Sequence, residues 1–128
     1  MSTLDRLGKQ RWLLLETRKR DGSWVGTPVN LAVEDGRAFF KTFDPSGKVK
    51  RMRNFPEVRV APCTMRGRVT GDRVDGRARL LDGESADASR AAMLLARKHP
   101  LLQGRLVPAF HRRKGLRTMF YELTLEQN

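Results

Sequence analysis

Residues 46–51 carry the side chains of this sequence that are best suited to binding a phosphate group. We expect a short helix from residue 46 to about residue 54, with Ser46 as its N-cap. A helix N-terminus offers unpaired backbone N–H groups and a partial positive charge to an anion, and Gly47 lets an oxyanion approach the backbone closely. Three full charges follow, on Lys48, Lys50 and Arg51. A solvated basic helix without a ligand fits the same spacing, so both interpretations remain open.

Other reactive residue types are too few to indicate a catalytic or metal centre. Cys63 is the only cysteine, so no internal disulfide forms, and its place in a strand-like run favours a small buried residue over a nucleophile. His99 and His111 are isolated, and two histidines with one cysteine do not make a metal site. Tyr121 reads as a core residue, or as a phenol that donates a proton beside a bound ring. We therefore predict no metal and no essential catalytic side chain.

Length and composition indicate a single basic domain over residues 1–128. The chain has 26 lysines and arginines against 14 acids, a net charge of +12. Such an excess of positive charge suits an anionic partner. Residues 97–117 hold seven basic residues and no acid, and this segment could bind a polyanion or simply form a solvated face. We find no leader segment and no apolar run long enough to span a bilayer. The single cysteine favours a reducing compartment, so we predict a cytoplasmic protein.

Short alternating runs joined by Asp-Gly turns predict a mainly β fold in the α+β class. Six strands are expected, at residues 11–18, 24–33, 37–43, 57–65, 73–81 and 118–125. The basic helix follows the third strand, and a longer helix at residues 85–98 precedes the last one. Pro28 belongs at a sheet edge or a bulge, because proline cannot donate a ladder hydrogen bond. Hairpin-linked strands favour an antiparallel barrel over a parallel sheet.

Four segments in this order resemble the split β-barrel flavin- and deazaflavin-binding proteins, the pyridoxamine 5′-phosphate oxidase-like class. The resemblance covers residues 9–125 and is closest to the coenzyme F420-dependent branch of actinobacteria. The segments are GSWVGTPV at residues 22–29, FKT at 40–42, SGKVKR at 46–51 and PEVRVAP at 56–62. The resemblance implies a six-stranded Greek-key barrel that forms a homodimer, with the cofactor in a groove at the subunit interface.

The resemblance also implies where the cofactor lies. Its ring would rest along the second strand, and its phosphate would lie at the end of the third strand and at the helix start. The ring residues are Thr27, Pro28, Val29 and Asn30. The phosphate residues are Lys41, Thr42, Ser46, Gly47, Lys48, Lys50 and Arg51, with Arg59 contributing from the neighbouring strand.

The implied activity is hydride transfer between the bound cofactor and a small organic substrate, in which the cofactor supplies the chemistry. Coenzyme F420 is the expected cofactor, because its polyglutamate tail is polyanionic and the protein is strongly basic. FMN, which shares the tricyclic ring, the ribityl chain and the phosphate, is the alternative.

Two other functions are alternatives to an oxidoreductase. The basic balance and the two tryptophans would suit a nucleic-acid-binding module, but base stacking needs exposed aromatic residues between basic ones, and most aromatic residues here read as core. The other reading is a protein that carries or sequesters the cofactor without turnover.

Overall fold

The computed structural model describes residues 2–98 and 117–126, and within these residues the chain forms seven strands and three helices. The strands are β1 (Leu13–Arg18), β2 (Trp24–Val29), β3 (Leu31–Glu34), β4 (Arg37–Asp44), β5 (Glu57–Pro62), β6 (Val74–Leu80) and β7 (Arg117–Leu125). The helices are α1 (Thr3–Gly8), α2 (Gly47–Asn54) and α3 (Ala86–Lys98). The two helices predicted after the third strand and before the last strand are confirmed as α2 and α3. Within the described residues, no helix is long and apolar enough to cross a membrane.

All seven strands join one antiparallel sheet in the order β2-β1-β5-β6-β7-β4-β3. Six strands were predicted, and this number is wrong because the run at residues 24–33 is broken at Asn30. Val29 pairs with Leu13 of β1, whereas Leu31 pairs with Phe40 of β4. The chain thus passes from one end of the sheet order to the other within two residues. This crossing curls the sheet into a half-barrel, which agrees with the general split-barrel class.

The two faces of the sheet bury separate apolar clusters. The inner face holds the main core, in which the rings of Phe40 and Tyr121 stack with their centroids 5.2 Å apart. The outer face of β3, β4 and β7 packs under α3, where Phe39 meets Leu94 and Leu95. Because successive strand residues alternate between faces, the register assigns each side chain of β4 to one cluster or the other.

Helix α2 closes one end of the half-barrel. It begins after Ser46, whose side chain accepts a hydrogen bond from Val49 N, and it ends before Pro56. Val49 and Met52 are its buried residues, and they lie three positions apart on one helix face. The helix contacts β1 and β4 through this face. Its basic residues are thereby held at the rim, beside the turn between β1 and β2.

Candidate functional site

The start of α2 has the cap that the sequence predicted. Ser46 Oγ lies 3.4 Å from Val49 N, so the hydroxyl serves the helix rather than standing free for a ligand. Lys50 N donates to Ser46 O at 3.3 Å, which is the first intrahelical bond. The N–H groups ahead of that bond, on Gly47 and Lys48, lie at the positive end of the helix dipole. This end of the helix can therefore accept an anion.

Arg51 folds back over that helix start. Its Nε donates to Thr17 Oγ1 of β1 at 2.6 Å. A Cβ atom added to Gly47 would lie 2.6 Å from Arg51 Nη1 and 3.4 Å from Nη2, so the guanidinium covers the first helical residue. Only glycine leaves room for this arrangement. The structure thus brings together Gly47, Arg51 and a threonine from another element.

Lys48 is half-buried beside the same group. Burial lowers the pKa of its ammonium, and the positive charge of Arg51 lowers it further. A bound anion would act against this lowering, because it supplies an opposite charge where two like charges now meet. Lys48 and Arg51 therefore form a site whose charge is uncompensated within the described chain.

A cleft of about 260 Å³ opens where α2 faces the β1–β2 turn. It is lined by Arg18, Lys19, Arg20, Lys50, Arg51 and Asn54. Five of these six residues are cationic and none is acidic. The nearby acid of the turn, Asp21, is engaged locally, because its carboxylate accepts hydrogen bonds from Ser23 N at 2.9 Å and from Ser23 Oγ at 2.6 Å, which lower its pKa.

Arg18 is held within this cleft by aromatic rings. Its guanidinium carbon lies 5.9 Å from the ring centroid of Trp24 and 6.0 Å from that of Phe55. Sequence reasoning missed Thr17, Arg18, Lys19, Arg20 and Asn54 as site residues. The run Arg18-Lys19-Arg20 immediately before the Asp21-Gly22 turn was a usable signal, since it places three cations at a strand end. Thr17 and Asn54 left no such signal.

Strand β2 lies at an end of the sheet order, so the predicted edge position of Pro28 is confirmed. Thr27 and Val29 pair with Leu15 and Leu13 and share the inner face, whereas Pro28 lies on the outer face. Asn30 lies at the crossing to β3, and its Nδ2 donates to Arg11 O at 2.9 Å. The four residues predicted to meet the ring therefore form a continuous edge, but their side chains alternate between two faces.

Lys41 and Thr42 likewise lie on opposite faces of β4. Lys41 shares the outer face with Phe43, whose ring centroid is 5.9 Å from Lys41 Nζ, and burial lowers the pKa of the lysine. Thr42 faces inward and is only 2% exposed, yet its hydroxyl has no hydrogen-bond partner among the described residues. An unpaired buried hydroxyl is costly and calls for a ligand or water. One bound group cannot reach both side chains from the same side of the strand.

Arg59 is engaged away from the α2 start. Its Nε lies 3.2 Å from Glu16 Oε1, and its guanidinium carbon lies 4.3 Å from the ring centroid of Trp24. Arg73 Nε donates to the same Glu16 oxygen at 2.9 Å. Arg59 is connected with the cleft through Trp24, because Arg18 overlies the same ring.

Cys63 is 7% exposed, and burial raises the pKa of its thiol, as expected of a small buried residue. Burial also raises the pKa of Tyr121, which is in the inner core. The part of the chain that the structure describes contains no group of three histidines, cysteines or acids able to hold a metal. His99, His111 and most of the basic segment 97–117 lie outside the described residues.

A second cavity, of about 490 Å³, lies at the other end of β1, between α1 and the start of β6. It contains none of the predicted cofactor residues. Its lining is Thr3, Arg6, Leu7, Gln10, Pro62, Asp72, Arg73 and Val74.

No protein-family model and no curated protein sequence matches this chain. Several solved structures, however, match this chain in fold. The heme storage protein HutZ from Vibrio cholerae matches with a TM-score of 0.70 and 12% identity, over 98% of this chain and 89% of that one. An FAD-binding protein from Mesorhizobium loti matches with a TM-score of 0.65 and 21% identity, over 99% and 90%.

A protein from Listeria innocua, described as a candidate pyridoxamine 5′-phosphate oxidase, matches with a TM-score of 0.64 and 17% identity, over 97% of this chain and 90% of that one. Identities this low show a shared fold. The chain therefore has the split-barrel fold of proteins that include flavin-binding and heme-storage members.

The residues at the α2 start fit the phosphate of a flavin-type cofactor. The helix end, the guanidinium of Arg51 and the ammonium of Lys48 converge, and the described chain offers them no carboxylate. Strand β2 pairs with β1 and lies at an end of the strand order. Ser46 and Arg59 are less available, because the first caps the helix and the second is ion-paired.

Proposed function

We propose that this protein is a coenzyme F420-dependent oxidoreductase that acts on a small organic substrate, with FMN as the alternative cofactor. The observation that carries the proposal is the cluster of cations at the α2 start, to which the described residues offer no carboxylate. Lys48, Lys50 and Arg51 are the residues that would hold the cofactor phosphate, through charge-assisted hydrogen bonds. The FAD-binding protein and the candidate oxidase with the same fold support a flavin-type ligand.

When bound, the reduced cofactor supplies a hydride to an electrophilic substrate, and the chain's own residues bind and orient it. Thr27, Pro28, Val29 and Asn30 would offer the edge of β2 to the ring. The hydroxyl of Thr42, which has no partner among the described residues, is a hydrogen-bonding group that the ribityl chain or a water could satisfy. Lys41 and Arg59 belong to the outer face, where they would take part only if a second subunit completes the site. We propose a homodimer with the cofactor at its interface for this reason.

The cleft beyond the phosphate site favours F420 over FMN. Arg18, Lys19 and Arg20 extend the positive charge along the β1–β2 turn, past the point that a single phosphate needs. The polyglutamate tail of F420 is a polycarboxylate, and arginine binds carboxylates with two hydrogen bonds. FMN has no tail and would leave these charges unused.

The proposal is tested by titrating the purified protein with F420 and, separately, with FMN, and following ligand fluorescence. We expect F420 to bind more tightly than FMN. A variant with Arg18→Gln, Lys19→Gln and Arg20→Gln should lose about tenfold or more in F420 affinity, because each lost charged hydrogen bond is worth roughly 1.5–3 kcal/mol. Its FMN affinity should stay within about twofold.

Equal losses for both ligands would mean that the turn does not recognise the tail. Tight binding of FMN alone would support the phosphate site but would identify FMN, rather than F420, as the cofactor. Binding of neither ligand would refute the proposed function.

A further inference from the structure

Thr17 is a fully buried polar residue inside the half-barrel. It is 0% exposed, and it lies on the inner face of β1 between Val25 of β2 and Val58 of β5. Both of its cross-strand neighbours are valines, so the hydroxyl lies in apolar surroundings. A hydroxyl is nevertheless present, and it accepts the hydrogen bond from Arg51 Nε at 2.6 Å. The polar atom therefore serves a specific partner.

That hydrogen bond fixes the direction of the guanidinium. An arginine has five N–H donors in a rigid planar fork: the Nε–H runs parallel to one Nη2–H, and the other three, on Nη1 and Nη2, point away from that pair. With Nε held by Thr17, the two Nη atoms lie over the first residue of α2, at 2.6 and 3.4 Å from the position that a Cβ on Gly47 would occupy. The donors best suited to a bidentate grip are thus aimed at the helix start.

We propose that Thr17 is a positioning residue for anion binding: it orients Arg51 over the N-terminus of α2, in space that Gly47 leaves open. This inference rests on the proposed function, because the anion is the phosphate of the cofactor. It assigns to a buried strand residue and to a helical glycine the task of pre-organising a charged group before the ligand arrives. Pre-organisation raises affinity by removing the cost of ordering a long side chain on binding.

The experiment compares Thr17→Val with Thr17→Ser. Valine keeps the shape and removes the acceptor, whereas serine keeps the hydroxyl. Binding of F420, FMN and inorganic pyrophosphate is measured for each protein by calorimetry. We expect Thr17→Val to lower the affinity for every anion that the wild type binds by about tenfold, because the lost hydrogen bond involves a charged donor. The affinities of Thr17→Ser should stay within about threefold of those of the wild type.

A second variant tests the same geometry from the helix. Gly47→Ala places a methyl group where Arg51 Nη1 now lies, and the flexible end of the arginine can move away without disturbing the backbone. Alanine is a better helix former than glycine, so the variant should be at least as stable as the wild type. Its anion affinity should nevertheless fall by about tenfold. A purely structural role for the Thr17–Arg51 contact would not produce this separation.

The Nε–H resonance of Arg51 gives a readout that needs no ligand. It should exchange slowly with water in the wild type and in Thr17→Ser, and rapidly in Thr17→Val; its loss in Arg51→Lys assigns it. Unchanged anion affinity in both Thr17→Val and Gly47→Ala would overturn the inference while leaving the proposed function intact. If the wild type binds pyrophosphate but neither cofactor, and the variants bind pyrophosphate more weakly, the proposed function fails and the positioning role of Thr17 stands. A wild type that binds none of the three anions overturns both.

Discussion

Lys48 carries its charge where burial and a neighbouring arginine both oppose it. The pKa of its ammonium is lowered from the usual 10.5, first by burial and then by Arg51. A group with a lowered pKa binds fewer protons in the folded chain than in the unfolded chain, so folding is penalised below the folded pKa and the penalty fades as the pH rises to about 10.5. Retaining such a residue makes sense if its charge is used by a ligand.

Replacing this lysine with an uncharged residue should stabilise the fold. We expect Lys48→Met to raise the free energy of unfolding at pH 7 by about 0.5–1 kcal/mol, the size of a typical single stabilising substitution. The gain should shrink as the pH approaches 10.5, and urea unfolding at a series of pH values measures it. Lys50→Met, which removes an exposed charge two residues later, should change stability by less than about 0.5 kcal/mol. If Lys48→Met were less stable than the wild type at neutral pH, this view of Lys48 would be wrong.

At the residue scale, local pattern predicted the cap at Ser46, the cations of α2 and the edge position of Pro28. These depend on neighbours in sequence, or on a property of proline itself. The contact between Arg51 and Thr17 joins residues 34 positions apart, and nothing in either local sequence indicates it. The same holds for the half-buried state of Lys48, which depends on how α2 packs against the half-barrel.

Among the elements, α3 is attached to the sheet by a network of charges as well as by its apolar face. Glu122 of β7 accepts hydrogen bonds from Arg37 Nε at 2.9 Å, from Arg37 Nη2 at 3.0 Å and from Arg79 Nη2 at 2.6 Å. Arg37 Nη1 also donates to Asp87 of α3 at 3.0 Å. The hydrogen bonds from Arg37 are the main cause of the lowered pKa of Glu122. This carboxylate therefore organises β4, β6, β7 and α3 together.

Removing that carboxylate should destabilise the fold in a pH-dependent way. Glu122→Gln should lower the free energy of unfolding at pH 7 by about 1–3 kcal/mol, because it replaces the carboxylate to which both arginines donate with a neutral amide that accepts at one oxygen only. A lowered carboxyl pKa stabilises the fold above the unfolded value, 4.5, and this stability is lost as the pH falls through the folded value. The difference between variant and wild type should therefore narrow below pH 4.5.

Thermal unfolding at pH 7 and at pH 3 checks this, with Glu84→Gln as the control, since Glu84 is exposed. A difference between Glu122→Gln and the wild type that stays constant across this range would contradict the linkage.

The break at Asn30 shows why the strand count could not be read from the sequence. Residues 24–33 alternate without interruption, and this pattern is the same for one long strand and for two short ones in line. What separates them is pairing: Val29 joins β1, whereas Leu31 joins β4. Partner choice is a property of the whole sheet. The helices, whose signals are local, were predicted within two residues of their ends.

At the scale of the whole molecule, two groups of cations among the described residues differ in their partners. On the outer surface of the sheet and α3, arginines such as Arg37, Arg77 and Arg90 are paired with carboxylates at 2.9–3.1 Å. At the cleft, the lining residues are all cations apart from Asn54. The net charge of +12 alone would suit many anionic partners, but the cations of the α2 start and of the cleft that shares Arg51 favour a ligand that carries a phosphate and further negative charges.

The most direct test is the affinity of F420 for the wild type and for the double variant Lys48→Ala with Arg51→Ala, measured by calorimetry. We expect a loss of roughly 2–5 kcal/mol in binding free energy, because two charge-assisted contacts disappear. The control, Lys9→Ala with Arg97→Ala, removes two exposed charges from α3 and the end of α1, and it should bind as the wild type does. An unchanged dissociation constant for the Lys48/Arg51 variant would contradict our proposal that the start of α2 holds the cofactor phosphate.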